Sequence, residues 1–573
     1  MENPCKIICF GDSITKGYAP YLEKYFRKNF PEIRLDIINE GVGGETTIEG
    51  LVRVGQILEQ KPDVVVIGFG MNDAFKRTDI NKKEFCQNLS LIIDKCEEEN
   101  VRAHVLTLHP INGDNYKLRQ FNNLIRSVCK EKSIKLIDVH WFWEQKLKNP
   151  KKGLKDAIHP NEIGNEIYAE AVFRIASRPK TILEWQYNGN PCNCNYACPY
   201  CQYPTLEQKG DYFFGTVEQW HDAFKKAFGK QQLVFYFAHG EPTIGKEFYN
   251  VLDMIGEEPL WEARITTNLS PSMEKLAKTK LARTGRLNIN ASFHPYQAKI
   301  EKFLEKLLFL RKQGIECSVV YVMYPPLLKR FGKDFEIFTK YGFIVHVRRF
   351  RGTFKGKYYP CAYTDEERRF VAKYCDDATI KYMLNEEPSF AKLTYTGMDF
   401  VIVDNVGNIK YCDDYRQGHD RLGNIFQNTV NLFNRPIEFP AENSSDGTVD
   451  GVANFLELNY RQLTGNNVLN FSKQGGVFKG ELEVRYKNID KDFTDSKIRA
   501  EYDFPPRNIK DLYYIIKTKK LSHFIKKYRY NRQFKAINIS QRRNKVIDAI
   551  RKHPILYKIG KIIYSKVRIN ELL

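Results

Sequence analysis

No stretch of this 573-residue chain offers the roughly 18 uncharged apolar residues that a membrane-spanning helix needs, so an integral helical membrane protein is excluded. The N-terminus enters the strand-like run Lys6-Ile7-Ile8-Cys9-Phe10 almost at once. That leaves no room for the basic, apolar and cleavage regions of a leader peptide, and the expected location is the cytoplasm. There is neither an internal repeat nor a long low-complexity tract. With 42% hydrophobic and 28% charged residues, a wholly disordered or collagen-like chain is excluded. Cysteine is sparse, with 13 residues and an odd count. In a reducing compartment these are thiols or metal ligands rather than a disulfide framework. Acidic residues are scarce at one end. Of the net charge of +20, the last 67 residues carry +16, with 19 Lys or Arg against Asp511, Asp548 and Glu571. The other 506 residues share the remaining +4, so the body of the protein need not bind polyanions.

What is present reads as two α/β units and a tail. At roughly 150 residues per domain, the length suggests three or four domains. Residues 1–178 alternate short Val/Ile/Leu-rich strand candidates (6–10, 34–39, 64–69, 102–108, 134–139) with amphipathic stretches such as Asn88–Lys95. This predicts a parallel sheet with helices on both faces and a site at the carboxyl ends of the strands. Near Arg178-Pro179 the register restarts. Six more strand candidates follow at 181–187, 233–238, 263–268, 287–293, 317–323 and 344–350, separated by helical patterns such as Val217–Phe228 and Lys299–Gln313. Six β/α repeats suggest a partial barrel, since the full form has eight. The expected segments are 1–178, the barrel at 179–354, an extension at 355–435, a linker and irregular region at 436–506, and a basic helical tail at 507–573.

Four blocks in the first unit carry chemistry. Gly11-Asp12-Ser13 follows the first strand, and Asn39 to Thr47, with Gly43-Gly44, follows the second. Gly70-Met71-Asn72-Asp73 follows the third, and Asp156-Ala157-Ile158-His159-Pro160 precedes the last helix. A serine hydroxyl needs a base to take its proton, the base needs an orienting partner, and the tetrahedral intermediate needs donors for its oxyanion. In this order the blocks resemble the SGNH (GDSL-type) hydrolase family over about 175 residues, and the resemblance implies a flavodoxin-like fold. It also implies Ser13 as nucleophile, His159 as base, Asp156 as its partner, and the backbone N–H groups of Ser13 and Gly44 with the Asn72 amide as oxyanion donors. The family spans esterases, thioesterases and carbohydrate deacetylases, so the acyl class stays open.

The second unit carries a different set. Cys194, Cys198 and Cys201 follow its first strand with C-x3-C-x2-C spacing, and Tyr200 precedes the last of them. Three thiolates on one short loop can hold three irons of a [4Fe–4S] cube, leaving the fourth iron to a small molecule. The motif resembles the radical S-adenosylmethionine (SAM) enzymes. In that family His239-Gly240-Glu241-Pro242, at the end of the second strand, matches the motif that contacts the methionine amino group of SAM. Asn268 and Ser292, at the ends of the third and fourth strands, are further candidate contacts for the cofactor or substrate. The resemblance covers roughly residues 180–350. It implies a reductant such as flavodoxin or ferredoxin, and a 5′-deoxyadenosyl radical that removes a hydrogen atom. A structural zinc site using Cys192 is the alternative, but a second C-x2-C knuckle is absent.

Residues 404–412 with 422–425 resemble the extensions of SPASM or twitch radical SAM enzymes, which hold auxiliary clusters. Their close-set cysteine pairs are missing here, and Cys361, Cys375 and Cys412 read as ordinary thiols. Arg348, Arg349 and Arg351 end the sixth strand, where they can meet an anionic group or simply form a solvated loop. In the tail, Ile555, Ile559, Ile563 and Val567 recur between lysines and arginines, the pattern of a basic amphipathic helix. Such a helix can dock on its own protein or on an anionic membrane surface. No recognised nucleic-acid-binding fold is present, so nucleic acid is not the expected partner. The expectation is a bifunctional enzyme: a serine acyl-ester hydrolase joined to a [4Fe–4S] and SAM site, acting on a small molecule or glycan, with a lipid-linked glycan precursor as the specific hypothesis. Peptide modification and a non-catalytic scaffold are the alternatives.

Overall fold

The structure is a computed structural model that describes residues 5–29, 35–75, 81–176, 178, 180–187, 194–201, 213–229, 231–374, 393–411 and 421–438. Cys192, Cys375, Cys412, the 441–451 linker and the basic tail lie outside the described residues. Among the described residues no helix is long and apolar enough to cross a membrane.

Five strands open the chain: β1 (Cys5–Gly11), β2 (Leu35–Gly41), β3 (Val64–Gly68), β4 (Arg102–Leu106) and β5 (Lys135–Ile137). They form one parallel sheet in the order β2-β1-β3-β4-β5. A parallel sheet is covered on both faces, which is why its strands are continuous apolar runs. Val64, Val65, Val66 and Ile67 are all fully buried. The order reverses between β1 and β3, and a crevice at such a switch point is where doubly wound sheets place their chemistry. β5 is shorter than its apolar pattern predicts. Asp138 ends it by capping the helix Val139–Lys146, its carboxylate accepting the Trp141 N–H at 3.2 Å.

Six further parallel strands follow: β6 (Thr181–Trp185), β7 (Leu233–Phe237), β8 (Trp261–Thr267), β9 (Leu287–Phe293), β10 (Glu316–Met323) and β11 (Val345–Arg349). Amphipathic helices such as Val217–Phe228 and Ile300–Lys312 separate them. The extension contains a hairpin, β12 (Gly352–Phe354) with β13 (Lys357–Tyr359). Then come β14 (Leu393–Thr394), β15 (Phe400–Val403), β16 (Asn408–Lys410), β17 (Arg421–Asn424) and β18 (Ile437–Glu438). The large sheet runs β11-β10-β9-β8-β7-β6-β15-β16-β17 and stays open. β15 lies parallel to β6, so the extension, rather than a seventh β/α repeat, covers that edge.

The two sheets meet at their N-terminal ends. Arg102, the first residue of β4, donates to Gln232 just before β7 at 3.1 Å, and Gln231 donates to the Ser133 carbonyl just before β5 at 2.5 Å. The Lys135 ammonium, at the start of β5, donates to the carbonyls of Arg178 and Lys180 at 2.6 and 2.9 Å. The extension reinforces this seam. Tyr395 and Met398 pack into the core of the first sheet, while the Arg178–Asp399 ion pair closes at 2.6 Å with both side chains buried. Removing one partner of such a pair strands a buried charge. Since both strand sets run away from the seam, their carboxyl ends face opposite poles.

Candidate active sites

At the first pole, β1 delivers Ser13 to the start of the helix Ser13–Asn29. Ser13 Oγ lies 3.2 Å from His159 Nε2. His159 Nδ1 lies 2.9 Å from Asp156 Oδ2. The Asp156 carboxylate also accepts the backbone N–H groups of Ile158 (2.8 Å) and His159 (2.7 Å). A four-residue turn is therefore folded around one carboxylate, and these backbone bonds hold its pKa down at about 2. The carboxylate stays charged at any ordinary pH. Both side chains are about half exposed, at 44% for His159 and 49% for Asp156.

The other expected residues gather around Ser13. Gly44 has φ +82°, a left-handed conformation that a side chain would strain. A Cβ added to its neighbour Gly43 would come within 3.9 Å of the Ser13 Cβ, so this turn passes beside the serine. Asn72 Nδ2 donates to the Glu45 carbonyl at 2.9 Å and reaches Asp12 Oδ2 at 3.4 Å. Its amide thus bridges the loops after β1, β2 and β3. Asp73 anchors the same loop, accepting the Thr47 N–H at 3.0 Å and the Thr47 hydroxyl at 2.5 Å. Asp12 is buried, and that burial lifts its pKa to about 7.

Sequence reasoning overlooked His109. It is fully buried against Trp143, its ring 4.7 Å from the indole, with one nitrogen 2.8 Å from the Tyr168 hydroxyl and the other 2.6 Å from the Ile158 carbonyl. Burial lowers its pKa to about 4, so it is neutral and can donate to that carbonyl. Ile158 precedes His159, which makes His109 a positioning residue for the histidine turn. The only signal was a lone histidine three residues after β4.

At the second pole the cysteine loop follows β6. Asn195, between the first two cysteines, accepts from Asn268 Nδ2 at 3.0 Å and donates to Ser270 at 2.8 Å. The Tyr200 hydroxyl is 3.1 Å from His294 Nδ1, and Gln297 donates to the Ala197 carbonyl at 3.1 Å. The loop is therefore pinned to the ends of β8 and β9. Gly240 has φ +62°, and Pro242 opens the short turn Pro242–Ile244, its carbonyl held by the Tyr187 hydroxyl at 2.6 Å. Glu241 is 1% exposed and accepts at both oxygens, three donors on Oε1 and one on Oε2. It takes the Thr243 N–H (3.2 Å), the hydroxyls of Thr243 (2.5 Å) and Thr267 (2.7 Å), and the Asn268 N–H (2.6 Å). Ser292 lies on β9 and makes no side-chain hydrogen bond among the described residues.

Among the described residues no three His, Cys, Asp or Glu side chains converge as a metal-ligand set. The chemistry of the donors nonetheless fits an iron–sulfur cluster. Burial, then the charges of Cys201 and Cys194, push the Cys198 thiol up to about 12. Burial also raises Cys194, with Glu241 and Cys201 adding to the effect. Thiols crowded in this way resist ionising alone, and a bound metal that replaces their protons relieves that penalty. The buried Glu241 carboxylate beside them suits a cationic ligand.

Comparison with known proteins matches both poles to families. Residues 9–167 match the GDSL-like Lipase/Acylhydrolase family, and residues 192–336 match the Radical SAM superfamily. The chain is an SGNH-type hydrolase domain fused to a radical SAM domain, and both families are enzymatic. Radical SAM enzymes use SAM and a [4Fe–4S] cluster. An arylesterase of Vibrio mimicus is 28% identical over 176 residues, which are 29% of this chain and 86% of that protein. An acetylxylan esterase of Geobacillus stearothermophilus is 24% identical over 206 residues, 30% of this chain and 92% of the relative. A crystal structure of the acetylxylan esterase Axe2 from that organism overlays with a TM-score of 0.28 at 22% identity, covering 30% of this chain and 92% of the other.

Proposed function

We propose that each pole is an active site. At the first, Ser13 attacks an acyl ester while His159 takes its proton and Asp156 holds the imidazole tautomer. The N–H groups of Ser13 and Gly44 and the Asn72 amide receive the oxyanion; Asn72 reaches it by exchanging its bond to Glu45 or Asp12. The observation that carries this reading is the unbroken chain from Ser13 through His159 to Asp156, at 3.2 and 2.9 Å. The likeness to a protein named acetylxylan esterase favours an ester on a glycan.

At the second pole, Cys194, Cys198 and Cys201 would hold the cluster. Gly240, Glu241 and Pro242, with Asn268 and Tyr200, would hold SAM, and Ser292 would meet SAM or the substrate. Loaded with both and reduced by a flavodoxin or ferredoxin, the pole supplies hydrogen-atom abstraction. The protein's own part is to hold the loop through Asn195 and Tyr200, to present the Glu241 carboxylate to the ammonium of SAM, and to exclude water. The finer reading is a cytoplasmic enzyme of lipid-linked glycan precursors, with residues 507–573 meeting an anionic membrane surface; it rests on the domain pairing and the tail charge. Because the poles face apart, a substrate that visits both sites must leave one before it reaches the other.

The test separates the poles. The full chain is reconstituted anaerobically with iron and sulfide, reduced and given SAM, and 5′-deoxyadenosine is quantified. In parallel, hydrolysis of p-nitrophenyl acetate is followed. Cys198→Ala is expected to abolish the first and spare the second, and Ser13→Ala the reverse. Loss of both in either variant would break the two-site reading.

A further inference from the structure

The inner face of the radical SAM sheet is unusually polar for a protein interior. Residues in register on parallel strands share a face. The register aligns Glu184, Tyr236, Arg264 and Asn288 across β6 to β9, then Thr266, Asn290 and Ser318 across β8 to β10. Nearer the pole it aligns Ser292, Val320 and His346, and then Val322 with Arg348. At one side of this face Ile182, Val234, Tyr236, Phe400 and Ile402 form an apolar cluster.

Contacts confirm the shared face and show its character. The Arg264 guanidinium donates to Asn290 at 3.2 Å and lies 5.4 Å from the centroid of the Tyr236 ring. Ser318 donates to the same Asn290 oxygen at 3.0 Å. Of the two acids in the first row, Glu184 is engaged by His239 at 2.6 Å, and Glu316, in register with Asn288, is exposed at the start of β10. Arg348, by contrast, has no ion pair among the described residues, although it is half-buried. Its charge and that of Arg264 both bear on His346, which burial already keeps neutral. Arg348 thus closes the inner face at the pole, two strands from Ser292, whose hydroxyl makes no hydrogen bond among the described residues. Arginine presents a planar fork suited to an oxyanion, and a half-buried one without a carboxylate has the electrostatics of a receptor site.

We propose that this face is the substrate site of the radical SAM pole, and that it selects a small, hydroxyl-bearing molecule with a phosphate or carboxylate group bound by Arg348. The proposal deepens the radical SAM reading and rests on it. Asn290, Ser292 and Ser318 supply hydrogen bonds for the hydroxyls. An extended peptide or a lipid chain has little to match on this face.

The experiment is calorimetric titration of the reconstituted full chain, with SAM present, using inorganic phosphate, ribose 5-phosphate, gluconate and ribose as probes. At least one anionic sugar is expected to bind with a Kd of about 1 mM or tighter, and about tenfold or more above neutral ribose. Ribose 5-phosphate against gluconate distinguishes phosphate from carboxylate, and inorganic phosphate should compete with either. Arg348→Gln is expected to lose about tenfold of that affinity. Arg348→Lys keeps the charge but not the fork, and should recover part of it. Iron content and SAM binding, measured on the same preparations, should match the wild type in both variants. Equal binding of ribose, no binding of any anion, or an Arg348→Gln protein with unchanged anion affinity would each overturn the proposal. Loss of iron or SAM binding in the wild type would instead fault the cofactor reading beneath it.

Discussion

The two poles solve the problem of reactive side chains in opposite ways. At the hydrolase pole, His159 and Asp156 stand about half exposed, and their geometry comes from backbone bonds inside one short turn. At the radical SAM pole, Glu241 is buried with four donors on its two oxygens, and the cysteine loop is tied down by side chains from two distant strands. The first set is complete in the polypeptide. The second is arranged around charges that the polypeptide alone does not balance. An acyl transfer to water tolerates solvent, whereas a radical intermediate must be kept from it, so the difference in burial follows the difference in chemistry.

The comparison breaks most visibly at Asp156. Asp156→Asn removes the charge that orients and stabilises the imidazolium, and kcat for p-nitrophenyl acetate is expected to fall by about 10⁴. Because the turn is exposed, the fold should be nearly unaffected, and 5′-deoxyadenosine formation should be unchanged. A fall of less than tenfold would mean that the carboxylate only shapes the turn.

Glu241→Gln sharpens the other half. The new amide would direct N–H groups at Thr267, Thr243 or Asn268, all of which already donate. The expected result is SAM affinity reduced by about 10- to 100-fold, as charged hydrogen bonds are lost. Ester hydrolysis at the distant pole should stay within twofold of wild type. Equilibrium dialysis with labelled SAM checks the first statement, and the ester assay on the same preparation checks the second. If both activities fall together, the poles are coupled through the seam and do not act apart.

The features read from sequence and those missed divide along a physical line. Buried parallel strands announce themselves as apolar runs, so β1 to β4 and β6 to β11 lie within a residue or two of their pattern. Motif blocks at strand ends foretold that Ser13, His159 and Asp156 would come together. What stayed hidden depends on long-range packing. β15 has only four residues and joins β6 across more than two hundred positions of sequence. Its apolar run, Phe400 to Val403, marks a buried strand but not the strand it pairs with. His109 and Asn195 were invisible as positioning residues for the same reason: each acts through a partner that only the fold brings near. The sequence presents the arginines at the end of β11 as one group, and only the register separates Arg348, on the inner face, from Arg349 beside it.

The smallest expected effect concerns Asp12, a carboxyl buried at the hydrolase pole. Burial, followed by the charge of Asp73, raises Asp12 from 3.8 to about 7. In the unfolded chain this carboxyl ionises near the lower value. Between the two values the folded protein keeps a proton that the unfolded chain has released, so this group makes stability fall as pH rises through that window. Above about pH 7 both states are ionised and the loss is complete. Asp12→Asn abolishes the titration, keeps an acceptor for the Ile14 N–H now bonded at 2.9 Å, and gives up only the long 3.4 Å contact to Asn72. Its apparent Tm should therefore equal that of the wild type below pH 4 and exceed it by a few degrees at pH 8. Scanning calorimetry across that range checks the shape as well as the size. A constant offset at every pH would assign the change to packing, and no offset at all would mean that water reaches Asp12 and that this pole is open down to that carboxylate.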